Sequence, residues 1–108
     1  IKFVMPSTIT LIYCTFPEKK ILKTVCNTLI NERFIACYNI IPIQSCYWWK
    51  EKIENEDELV AILKTLPEKL DSSIAKIENL HTYEVPCIIN WEVNCNEKYF
   101  NWIKENVT

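Results

Sequence analysis

The chain has 108 residues, 49% of them hydrophobic and 24% charged, with a formal net charge of −2. That balance excludes a disordered chain, suffices for a core without covalent staples, and leaves no basic footprint for nucleic acid. Glycine is absent, which excludes the glycine-rich loops that cradle nucleotide phosphates, and no apolar run reaches the ~18 residues of a membrane span.

In chain order, Thr8–Phe16 (TITLIYCTF) alternates between Pro6 and Pro17 and predicts a buried strand. Pro17 suits the first turn of a helix, with Glu18 favourable at that positive end. Ile21, Val25, Cys26, Leu29 and Ile30 then form an apolar stripe at helical spacing to about Arg33. The run from Ile35 to Lys52 is β-branched and aromatic, and predicts a long strand. An acidic turn at Glu54–Asp57 follows, and then an answering strand over Glu58–Thr65. The mismatch is large: Ile35 to Trp49 extends roughly 50 Å at about 3.3 Å per residue, against eight residues in the second strand. The expectation is an unpaired overhang carrying Tyr47, Trp48 and Trp49, covered by other copies of the chain.

Pro67 opens a second helix with Leu70, Ile74, Ile77 and Leu80 inward. Tyr83–Val93 predicts a fourth strand, placed at an edge or bulge by Pro86. Asn94 or Asn96 caps a last short helix docked by Tyr99, Phe100 and Ile103. The order β-α-β-β-α-β-α predicts an α+β fold: a ferredoxin-like βαββαβ sandwich with an extra C-terminal helix, residues 1–108 forming one domain. Ile1 rather than Met opens the chain, leaving room for an upstream segment. Six cysteines (Cys14, Cys26, Cys37, Cys46, Cys87, Cys95) contain no C-x-x-C pair. Zinc-finger spacings are therefore absent. Thiols within apolar patterns favour a reduced, cytoplasmic setting, with a disulfide or two left open.

Four segments carry a resemblance. Ala36-Cys37-Tyr38-Asn39-Ile40-Ile41-Pro42, Tyr47-Trp48-Trp49-Lys50 with Lys52-Ile53, Ile62-Leu63-Lys64-Thr65, and His81-Thr82-Tyr83-Glu84-Val85-Pro86 resemble the CutA family of divalent-cation tolerance proteins, in order and over nearly the whole chain. The resemblance implies a homotrimer related in architecture to the PII signalling proteins, with long hairpins pairing between subunits. It also implies tolerance of copper or other divalent metal ions, and no established catalytic reaction. This sequence departs from the family pattern at Glu51, where glycine is usual, at Thr82, where proline is usual, and at Cys87, where glutamate is usual.

The candidate residues follow from chemistry and resemblance together. Cys37 matches the family's motif cysteine and offers a soft donor for copper, against the alternative of a small buried packer. Cys14 joins it only if both face one cleft. His81 with Glu84 offers a nitrogen–oxygen pair for a divalent ion, or else His81 caps the preceding helix. Lys64, Tyr83 and Cys87 are expected in a cleft between subunits, and Tyr47, Trp48 and Trp49 in the trimer interface. The expected function is metal-ion binding by a homotrimer that is not an enzyme: no nucleophile–base pair is visible, and His81 is the only histidine. The alternative is a PII-like adaptor binding a protein partner or a small ligand in the inter-subunit clefts.

Overall fold

A computed structural model describes residues 7–108. Four strands, β1 (Thr8–Phe16), β2 (Cys37–Trp49), β3 (Lys52–Thr65) and β4 (Ile88–Asn94), form one antiparallel sheet in the order β2-β3-β1-β4. The helices are α1 (Lys19–Asn31), α2 (Leu70–Leu80) and α3 (Glu97–Asn106). The α+β class and the βαββαβ order therefore hold.

Strand alternation splits the sheet into two faces. On one, Ile12, Cys14 and Phe16 of β1 and Ala61 and Leu63 of β3 bury against Leu22, Val25, Cys26 and Leu29 of α1 and Ile77 of α2. On the other, α3 covers one end only, closing Ile9, Leu66, Ile103 and Val107 into a second cluster.

Helix α1 starts later than the proline signal suggests: Pro17 lies in a bend, Glu18 is the N-cap, and the helix begins at Lys19. Its end is a Schellman motif, in which the Arg33 N–H donates to Ile30 O and the Phe34 N–H to Leu29 O. That motif needs a left-handed residue, and with no glycine in the chain Arg33 takes it at φ 61°.

The central hairpin differs most from expectation. Its turn is Lys50-Glu51, not Glu54–Asp57, and β3 begins at Lys52. Every β2 residue from Cys37 to Trp49 has a partner on β3, the last rung being Trp49↔Lys52. The predicted unpaired overhang does not exist. The acidic residues that look like a turn are ladder residues of a solvated ribbon, where charged side chains guard exposed strands. A two-residue loop of this kind needs positive φ at both central positions, and Lys50 (49°) and Glu51 (66°) supply it without glycine. A side chain in that region costs about 1 kcal/mol relative to glycine. Glu51→Gly is therefore expected to stabilise the fold by about 1 kcal/mol, read as a raised midpoint in urea with an unchanged slope.

Only Leu59–Phe16 to Thr65–Thr10 joins β3 to β1. The hairpin beyond, from Ile43↔Glu58 to Trp49↔Lys52, is a two-stranded ribbon about 23 Å long at about 3.3 Å per residue, which gives the molecule its 58 × 29 × 21 Å extents.

After β3, a 3₁₀ turn at Pro67–Lys69 leads into α2. The predicted strand at Tyr83 begins five residues late, at Ile88. Pro86 has no N–H for a ladder, so Tyr83–Cys87 stays a loop and β4 forms beyond it, at the sheet edge. Asn96 is the N-cap of α3.

Candidate functional site

Register decides which candidate residues meet. Cys14 pairs with Ala61 and Cys37 with Lys64. Ala61 and Lys64 are three apart on one strand, so the two cysteines point to opposite faces. Cys14 is sealed in the helix-side core, so the condition for its joining Cys37, that both face one cleft, is not met. Burial pushes the Cys14 thiol far up, with Cys26 and Cys87 nearby adding to it, and burial pushes Cys26 up to about 12. All six cysteines are free thiols, and Cys46 is exposed on the ribbon. Thiolates are the reactive form. Iodoacetamide is therefore expected to label Cys14 and Cys26 only after denaturation, as mapped by peptide mass spectrometry.

Cys37 is half-buried, its Sγ 3.3 Å from the Tyr99 hydroxyl of α3. Burial, and then the Cys37 contact, push the Tyr99 phenol up to about 12. Lys64, beside Cys37 on the same face, donates to Asn39 Oδ1.

The second group sits at the other end of the sheet. His81 is 9% exposed, and both ring nitrogens are engaged: Nε2 lies 2.7 Å from Thr15 O, and Nδ1 accepts the Tyr83 backbone N–H at 3.0 Å. The imidazole stacks on Phe16, centroids 4.6 Å apart and 12° from parallel, and leans on Tyr83. A ring held this way has no free lone pair for a metal ion, and Glu84 is exposed outside the network. The Tyr83 hydroxyl donates to Glu58 Oε2 at 2.5 Å, and burial, then that hydrogen bond, raise the phenol. Cys87 ends the loop, its thiol raised by burial and then by the nearby Glu58 carboxylate. Six residues of β3 separate Glu58 from Lys64, about 20 Å. Within one chain, Tyr83 and Cys87 therefore belong together and Lys64 stands apart.

Glu58, 8% exposed, is the functional-looking residue that composition hides among its acidic neighbours. The signal for it is positional: it lies two residues before Val60, on the same strand face.

Along the ribbon, Trp48 is 71% exposed opposite Ile53, while Trp49 turns to the other face beneath Lys50, whose Nζ lies 5.5 Å from the ring centroid. The Tyr47 phenol is pushed up to about 12, first by the neighbouring Glu56 carboxylate. Ile41, Ile89 and Trp91 are exposed on the sheet face that α3 leaves open. An open groove of about 570 Å³ lies where the ribbon leaves the sheet, lined by residues that include Pro17, Pro42, Ile43, Glu58 and Leu59.

Among the described residues, no three histidine, cysteine, aspartate or glutamate side chains gather to hold a metal ion. No helix among those residues is long and apolar enough to cross a membrane.

A model of the family described as CutA1 divalent ion tolerance protein matches residues 10–106. The chain is 41% identical over 96 residues to the divalent-cation tolerance protein CutA of Pyrococcus horikoshii, covering 88% of this chain and 94% of that protein. It is similar to a crystal structure of CutA1 from that organism at a TM-score of 0.89 and 39% identity, covering 92% of this chain and 98% of the other. The structure described as the periplasmic divalent cation tolerance protein CutA from Archaeoglobus fulgidus gives a TM-score of 0.89 at 32% identity, covering 93% and 99%.

Proposed function

Because the chain belongs to the CutA1 divalent ion tolerance family, we propose that it works as a cytoplasmic homotrimer that binds copper or another divalent metal ion. It acts by binding and not by catalysis. The observation that carries the assembly is the two-stranded ribbon reaching past the sheet, together with the exposed Ile41, Ile89 and Trp91 beside it. An isolated two-stranded ribbon is marginal in water, and apolar faces of this kind are covered by a partner. The closed PII-like ring supplies that partner from identical copies.

Cys37 is the soft donor of this reading. It is half-buried rather than sealed, and its neighbours Tyr99 and Lys64 keep its surroundings polar. The remaining donors come from neighbouring copies. Copper titrated into the reduced protein is expected to bind stoichiometrically, with Cys37→Ser weakening it by at least about tenfold and Cys14→Ala leaving it unchanged. Native mass spectrometry counts copies and ions in one measurement. Full-strength binding in the Cys37→Ser protein removes the thiol site.

The groove at the ribbon's root favours a second reading, a PII-like adaptor that takes a small ligand or a protein partner. A stable partner recovered by pull-down, with no measurable affinity for copper, would select it.

A further inference from the structure

The geometry points to the loop Thr82–Cys87 being a proton-operated latch: a second proton on His81 releases Tyr83, and through Tyr83 releases Glu58 at the root of the β2–β3 ribbon. A backbone N–H can only donate, so the Tyr83 N–H at 3.0 Å fixes Nδ1 as the unprotonated, accepting nitrogen. Nε2 then carries the single proton and donates to Thr15 O at 2.7 Å. In the cation both nitrogens are donors, and Nδ1–H would face the Tyr83 N–H with no acceptor between them.

The ring cannot relieve this by turning without losing Thr15 and its stack on Phe16. The loop can. It has no helix or strand of its own, and Thr82, Glu84 and Val85 are exposed. Its departure takes the Tyr83 hydroxyl from Glu58, a nearly buried carboxylate. The titratable groups around the ring come from three elements. The loop brings Tyr83 and Cys87, with Glu84 exposed to solvent, β1 brings Cys14 close to Cys87, and β3 brings Glu58 to the Tyr83 hydroxyl. From α2 comes the Ile77 carbonyl, which accepts the His81 backbone N–H. Both hydrogen bonds of the imidazole are made with backbone groups, the Thr15 carbonyl and the Tyr83 N–H, and neither partner carries a negative charge.

The test is amide exchange and histidine ring ¹⁵N shifts on the full chain, from about pH 7.5 to about pH 5, where histidines exchange charge. As the ring shifts turn to the cationic pattern, protection of the Tyr83 amide, corrected for intrinsic rate, is expected to fall about five- to tenfold while Leu63 in the core keeps its own. In His81→Asn, whose side-chain oxygen stands in for Nδ1 and takes no proton, Tyr83 is expected to stay protected throughout. A Tyr83 amide still protected beside a cationic ring overturns the latch, as does a ring that never charges in this interval. An equal loss of protection in the asparagine variant also overturns it. The unsubstituted protein decides the matter by itself if that variant does not fold.

Discussion

Trp91→Glu is expected to give single, folded copies, against the homotrimer proposed for the unsubstituted chain. Trp91 pairs with Leu11 on the sheet face that α3 covers at one end only, and 40% of it is exposed in one copy. That fraction is about 100 Å², worth about 2.5 kcal/mol at about 25 cal/mol/Å² once another copy covers it. Three copies lose about 7 kcal/mol together, about five orders of magnitude in the association constant, before the cost of placing a carboxylate in an apolar seam. The fold of each copy is expected to survive, because the helix-side core and the α3 cluster contain neither the ring nor its replacement. Sedimentation velocity reads the assembly and circular dichroism the fold. A trimer that persists at micromolar concentration would move the interface away from this face.

Phe16→Ala is expected to lower stability by about 3–5 kcal/mol, a large share of the 5–15 kcal/mol typical of a domain, and to lower the thermal midpoint by about 20 °C. Phe16 is buried at the end of β1, opposite Leu59, in the cluster that joins the sheet to α1 and α2. It is also the surface on which the His81 ring lies. Its loss leaves a cavity and takes away the support of the imidazole, so exchange protection at Tyr83 is expected to fall further than at Leu63. Phe16→Leu, which keeps most of the volume, is expected to lose less than about 1.5 kcal/mol. Equal losses in the two variants would mean that the ring's shape, and not its volume, holds this corner.

The hydrophobic periods and the prolines made the element order legible. Thr8–Phe16 alternates and is a strand with those same bounds. The stripe through Val25, Cys26 and Leu29 is the buried face of α1. The resemblance, resting on motifs such as the one around Cys37, gave the family that the comparisons then showed. The hairpin turn was misplaced because Glu54–Asp57 has the composition of a turn, whereas Lys50-Glu51 does not. The register across the ribbon, and not local preference, sets two left-handed residues there. The same limit governed the site. Spacing left open whether Cys14 and Cys37 meet, and pairing put them on opposite faces.

The sequence by itself determined the α+β class, the order of strands and helices, and the family, because these follow from local periodicity and from motifs read along the chain. Only the tertiary structure decided that His81 is fully occupied by Thr15 and Tyr83, that Glu58 lies buried against a phenol, and that the ribbon is paired to its tip. Those facts depend on which residues, distant in sequence, fall on the same rung and the same face of the sheet. A one-residue slip in pairing would reverse every one of those faces.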